Sequence, residues 1–297
     1  MARVQPAMQI IGAMRTDPGL VRQLNEDTVA WVKPQDKAIA ESHGSLALVA
    51  DGMGGHAAGE VASALAADVI RRLYYDLNGP VPKVLSAAFT AANRAILEYA
   101  AEHPECRGMG TTCTVLAFRD REVWLGHIGD SRAYLLRDGE FIQLSEDQTL
   151  VAKLVSDGTL TQEQANHSPM QNVILQALGT SLQMKPIIGA KGLPLEFGDV
   201  LVLCSDGISG LVSDAKIAEV AGRLAPQEAC DALIAAALAA GGHDNASLGV
   251  FSVAEAAEPK SAPEPTTRRI KIPIEAAPKS DSAGPMGGAA NPSGPAR

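Results

Sequence analysis

The sequence predicts an α+β fold in which antiparallel sheets are covered by pairs of helices, and three observations lead there. Short runs rich in Val, Ile, Leu and Thr recur along the chain with turn residues at their ends. Several of these runs adjoin through short turns, which favours antiparallel pairing. Helical segments come in pairs between strands, an order unlike the strict alternation of a doubly wound parallel sheet.

Taken in order, strands are expected at residues 8–14, 28–32 and 46–50. Two helices follow at 59–77 and 82–101, with apolar residues at three- and four-residue spacing: Val61, Leu65, Val69 and Leu73, then Val84, Leu85, Ala88, Phe89, Ala92 and Ile96. Strands are expected again at 111–118, 123–127 and 133–137. Residues 145–181 read as short helices and loops inserted between strands, and such insertions commonly serve as lids or recognition flaps. A strand at 200–204, helices at 214–222 and 226–240 and a last strand at 246–253 complete the series. Aromatic residues make up only 4% of the chain, so Ala, Val, Leu and Ile must fill the core, with Trp31 and Trp124 in strands.

Composition changes near Ala254. The stretch 255–297 holds eight of the 18 prolines and almost no apolar periodicity, so it reads as a disordered tail after a domain spanning 1–254. Within the tail, RRIKIPI at 268–274 is a basic and apolar island, read as linker or as a strand that a partner could accept. The formal net charge of −9 argues against nucleic acid or an anionic membrane as partner. Cys106, Cys113, Cys204 and Cys230 lack CxxC spacing and read as reduced, buried thiols. No run approaches the ~20 apolar residues of a membrane span. The N-terminal MARVQPAMQI lacks the basic start and apolar core of a signal peptide, so a cytoplasmic monomer is expected.

The functional signal is a set of aspartates that close or follow apolar runs: Asp51 after LALVA, Asp130 after WLGHIG, Asp206 after VLVLCS and Asp244 before NASLGVF. Arg22, Asn25, Glu26 and Asp27 stand together before another strand. Asp-Gly is also an ordinary turn signal. So many carboxylates at the ends of apolar strands, however, are costly to bury without a cation. Hard oxygen ligands in this number suit Mg²⁺ or Mn²⁺ and not a Cys/His zinc site. Two such ions can activate a water for attack on a phosphoester. Arg22 is the best-placed phosphate partner, because a guanidinium binds two oxygens at once.

The ordered segments DPGLVRQLNED (17–27), VADGMGGHAAGE (49–60), GMGTT (108–112), HIGDSRAYLLRDGE (127–140), CSDGISGLV (204–212) and GGHDN (241–245) resemble the motif series of the metal-dependent protein phosphatases, the PPM or type 2C family, in bacterial form. The resemblance runs from about residue 8 to residue 253. It implies a four-layer αββα sandwich, two tightly held Mn²⁺ or Mg²⁺ ions with a weaker third, and hydrolysis of phosphoserine and phosphothreonine in proteins opposing a Ser/Thr kinase. Carried over, it implies that Asp51 bridges both ions, the Gly52 carbonyl binds one, Asp206 and Asp244 hold the other, and Asp130 shares the third with Asp206. Glu26 and Asp27 would act through bound waters or by orienting Arg22, Asn245 accompanies Asp244, and 145–181 would be the flap. Met53 stands where animal members have a proton-donating His, leaving His56 or a water as the proton source. DNASLGVF is a less bulky closing strand than the family usually has. His127 reads as a core residue or a support for the site rather than a ligand, and Arg132 as the partner of a nearby carboxylate. The alternative function is a catalytically weak module that binds phosphoproteins.

Overall fold

A computed structural model describes residues 6–54 and 58–256. His56, RRIKIPI and the expected tail from 257 onward lie outside the described residues. The strands are β1 (Met8–Asp17), β2 (Asp27–Val32), β3 (Ser45–Met53), β4 (Gly110–Thr111), β5 (Cys113–Arg119), β6 (Glu122–Ile128), β7 (Arg132–Arg137), β8 (Glu140–Gln143), β9 (Ile187–Ile188), β10 (Leu193–Pro194), β11 (Val200–Cys204) and β12 (Ala246–Glu255). The helices are α1 (Lys37–His43), α2 (Ala58–Asp76), α3 (Val81–Glu102), α4 (Leu150–Ser156), α5 (Gln162–Asn166), α6 (Asp206–Ser209), α7 (Asp214–Arg223) and α8 (Pro226–Ala239).

Two antiparallel sheets stack face to face. One has the order β1-β12-β11-β7-β8, and the other β10-β6-β5-β3-β2 with β4 on β3 and β9 on β6. Helices α2 and α3 cover one outer face, and α7 and α8 the other, giving the α+β αββα sandwich.

Strand alternation explains how so few aromatics suffice. Along β3, Leu46, Leu48 and Ala50 pack on the α2/α3 layer, while Ala47 and Val49 point into the layer between the sheets. Along β11, Val202 and Cys204 face α7 and α8, while Leu201 and Leu203 face the other sheet. Both faces of these strands are buried, so they read as continuous apolar runs. The inter-sheet layer is pinned by three rings: Trp31 lies 4.8 Å from Phe251 and 5.7 Å from Phe118. The Phe251 ring occupies the space a side chain at Gly12 would need.

The strand and helix expectations match within a few residues, and the differences have physical causes. β1 runs three residues further than expected because Asp17 still pairs with Ala246 of β12. The expected strand at 111–118 divides into β4 and β5, which pair with different parts of β3. α1 was not foreseen because it buries no residue and so shows no apolar stripe; Asp36 caps it, accepting from the Ala38 and Ile39 amides. β8 closes a hairpin through Asp138 and Gly139, both at positive φ, as a two-residue turn demands. The four cysteines are free and buried, and no described helix is long and apolar enough to cross a membrane.

Candidate metal centre

The acidic residues gather where the inter-sheet layer runs out of apolar side chains. Residues 47 and 49 of β3 face that layer, so by the period of two Asp51 faces it as well. Asp51 lies inside β3 rather than at a strand end, because Gly52 and Met53 continue the strand by pairing with Thr111 and Gly110. Directly across the ladder from Asp51 stands Asp27, the first residue of β2. Asp206 opens α6 just after β11, and Asp244 precedes β12. Asp130 sits in the turn from β6 to β7.

Each carboxylate is held by neighbours of a definite kind. Asp27 is buried, and its Oδ2 accepts from the Ser205 hydroxyl at 2.9 Å. The Asp51 amide donates to Thr112 Oγ1 at 3.0 Å, and its carbonyl accepts from Thr112 N at 2.9 Å and Thr111 Oγ1 at 2.9 Å. The Thr112 hydroxyl also meets Ser131 Oγ at 2.9 Å, which ties the Asp51 strand to the turn carrying Asp130. Gly52 has no room for a side chain: a Cβ there would fall on the Gly59 and Glu26 carbonyls. Glu26 does not join the other carboxylates. Its Oε1 accepts from the Gly59 amide at 3.2 Å in the first turn of α2, where a negative charge is favoured.

Arg22 reaches Asp244, with Nη2 2.7 Å from Oδ2, in a half-exposed pair. Asn245 is the clamp beneath it. Its Oδ1 accepts from the Glu26 amide at 2.8 Å, and its Nδ2 donates to the carbonyls of Pro18 and Leu24, each at 2.9 Å. Both ends of the arginine loop therefore hang on one buried amide.

The electrostatics record the crowding. Burial pushes the Asp27 carboxyl up to about 7, with Asp206 and Asp244 adding repulsion against the pull of the Ser247 and Ser205 hydroxyls. Burial, then Asp206 and Asp147, push Asp130 up to about 7. Asp51 is held well above the usual carboxylate range by burial and by Asp27, Asp206 and Asp130. Asp206 is raised too, mainly by burial, and lies within hydrogen-bonding reach of Asp51.

Among the described residues, no three His, Cys, Asp or Glu side chains form a ready-made ligand cage. The fit to a cation rests on other observations. Asp27 Oδ1 and Asp206 Oδ1 are buried with no hydrogen-bond partner. The donors are hard oxygens, and Arg22 is the cation paired with them. Unpartnered buried carboxylate oxygens are the positions a divalent ion such as Mg²⁺ or Mn²⁺ satisfies.

His127 is fully buried, with Nδ1 2.8 Å from Thr114 Oγ1 and Nε2 2.9 Å from the Glu146 carbonyl. Burial lowers its pKa, so it is a neutral core histidine. Arg132 forks onto Asp147, with Nη2 2.7 Å and Nε 3.0 Å from the carboxylate. Residues 145–181 hold the two short helices α4 and α5, and Gln148 anchors their base through paired bonds with Gly129. The hydroxyls of Thr112, Ser131, Ser205 and Ser247 were not anticipated. Each lies in or beside a motif segment: Thr112 in GMGTT, Ser131 in HIGDSRAYLLRDGE, Ser205 in CSDGISGLV and Ser247 in DNASLGVF.

This sandwich, with aspartates converging at one end of its inter-sheet layer beside an arginine, is the architecture of a metal-dependent phosphatase. The Protein phosphatase 2C family model matches residues 21–240, and the chain belongs to that family, the PPM phosphatases of bacterial type. It is 40% identical over 256 residues to the serine/threonine protein phosphatase PstP of Mycobacterium tuberculosis, covering 86% of this chain and 47% of PstP, so it spans about half the length of that relative. It is 33% identical to the serine/threonine phosphatase stp of Listeria innocua, covering 78% of this chain and 91% of that protein. A crystal structure of the PstP catalytic domain in complex with two manganese ions superimposes with a TM-score of 0.72 at 39% identity, covering 84% of this chain and all of that one.

Proposed function

We propose that this protein hydrolyses phosphoserine and phosphothreonine in proteins, opposing a Ser/Thr kinase. The observation that carries the reading is the pair of buried, unpartnered oxygens on Asp27 and Asp206, set beside Asp51 and the Arg22–Asp244 pair.

Asp51 and the Gly52 carbonyl, with Asp206 and Asp244, would hold two Mn²⁺ or Mg²⁺ ions, and Asp130 a weaker third. When bound, such ions supply Lewis acidity toward a water and toward the phosphoryl oxygens. The chain's own residues do the rest. Arg22 offers its planar fork to two phosphate oxygens, exchanging the Asp244 carboxylate for the substrate. Asn245 and the turn at Gly19 fix the loop on which Arg22 sits. Gly19 has φ +79, and a side chain there would strike the Asp244 carbonyl, so this close approach needs glycine. Glu26 anchors α2 and adds to the negative field around Arg22, while Asp27 holds a carboxylate across the ladder from Asp51. Met53 has no proton to give the leaving oxygen, so that proton comes from elsewhere.

The test is phosphate release from a phosphothreonine peptide by the purified protein in Mn²⁺, with and without EDTA. Release that EDTA abolishes is expected. No release, or release indifferent to EDTA, sinks the reading.

A further inference from the structure

The loop that carries Arg22 presents an apolar surface that the chemistry above does not use. Leu20, Val21 and Leu24 are 67%, 63% and 48% exposed, three large apolar side chains within five residues around the arginine. Scattered exposed apolar residues are ordinary, but a cluster next to a binding group marks a contact surface.

The loop backbone is stapled rather than loose. The Leu20 amide donates to the Gly242 carbonyl at 2.8 Å, and the Gly19 amide donates to Asp17 Oδ1 at 2.9 Å. Asn25 Nδ2 donates to Thr16 Oγ1 at 2.7 Å, and Asn245 holds Pro18, Leu24 and Glu26. Side chains offered from a fixed backbone lose little freedom when a ligand covers them. Among the described residues these three are left largely exposed, beside the arginine proposed to receive the phosphate.

We infer that Leu20, Val21 and Leu24 form a recognition surface for apolar side chains flanking the phosphorylated residue of a protein substrate. The inference rests on the proposed reading of Arg22 as the phosphate partner. Val21 and Leu24 stand one and two positions from Arg22 on the loop, and an extended peptide advances about 3.3 Å per residue, so residues flanking a phosphate held by Arg22 come within reach of this loop. The carboxylates of Asp17, Glu26 and Asp244 on and beside the loop make an acidic flank unfavourable. The selected class is therefore phosphoserine or phosphothreonine in an apolar sequence context.

Two phosphothreonine peptides, identical except for Leu and Val or Ser and Asn beside the phosphorylated residue, test this on the full chain in Mn²⁺. p-Nitrophenyl phosphate serves as a substrate without flanks. The unaltered protein is expected to favour the apolar peptide by about tenfold in kcat/KM. The double variant Val21→Ser, Leu24→Ser loses that preference through KM, keeps its melting temperature and turns over p-nitrophenyl phosphate unchanged. Equal rates on the two peptides, a preference that survives in the variant, or a parallel loss on all substrates overturns the inference. Failure of the unaltered protein to release phosphate from any substrate overturns the reading of the site and the inference with it.

Discussion

Strand β11 carries a carboxylate with buried oxygen at each end, and the two ends differ in one respect. Asp199, just before the strand, is 1% exposed and fully answered by the chain: Arg137 grips it at 2.8 and 2.6 Å, and the Glu196 amide donates to it at 2.8 Å. At the other end, Asp206 leaves an oxygen buried and unpartnered, as does Asp27 beneath it. Asp244 adds repulsion to Asp206, Asp206 in turn repels Asp51 and Asp130, and Arg22 is engaged with Asp244. One end is an ion pair; at the other the carboxylates outnumber Arg22, the cation beside them. Taking the arginine from a buried carboxylate is costly, and carboxylates in excess of their cations invite an ion from solution.

Asp51→Asn removes a charge from the functional end. Turnover in Mn²⁺ is expected to fall by at least about a thousandfold, while the metal-free protein melts no lower than the unaltered one because a crowded charge is gone. Phosphate release and melting curves check both halves; retained activity sinks the assignment of Asp51.

Asp199→Ala is the converse. Arg137 is partly exposed and keeps Glu196, so the loss is that of the charged hydrogen bonds, about 1.5–3 kcal/mol, and chemical denaturation should show it. Turnover per folded molecule and the Mn²⁺-induced rise in Tm should persist. Loss of the Mn²⁺ response would erase the distinction between the two ends.

Acidity sharpens the contrast. Asp27 and Asp130, pushed up to about 7, hold protons in the folded metal-free protein that the unfolded chain releases near the usual value of 3.8. The folded state binds more protons in that window, so stability falls as pH rises from about 4 to about 7. The contribution is fully present below the lower value and lost above the higher one. Tm without metal should fall from pH 5 to pH 8, and Mn²⁺ should raise it more at pH 8. A Mn²⁺ effect larger at pH 5 contradicts this.

Asn245→Ala leaves the Glu26 amide and the Pro18 and Leu24 carbonyls without their partner, at about 1–3 kcal/mol. It should raise KM for phosphopeptide more than it lowers kcat, because it frees the arginine loop. The smallest effect is expected from Ser205→Ala, which removes one hydroxyl from Asp27. A loss of about 1 kcal/mol and weaker Mn²⁺ binding, read by titration of the melting temperature, are the outcomes to compare.

Much of this was legible beforehand. Apolar runs bounded by turn residues located the main strands, and three- and four-residue spacing located α2 and α3, since a helix buried on one face leaves a periodic trace. α1 and β8 left no such trace. Asp51, Asp130, Asp206 and Asp244 stood out as charges bordering apolar runs, and Arg22 by its place among them.

Partnership was decided only in three dimensions. Asp199 and Asp206 flank the same apolar run, and no spacing rule tells which of them has an arginine. Arg137 reaches Asp199 because β7 lies beside β11, while the pairing of β2 with β3 sets Asp27 opposite Asp51. Period and polarity are local properties, so the sequence by itself determined the elements and the candidate charges. Which charges meet a cation depends on the order of strands in the sheets, which brings together residues far apart in the chain.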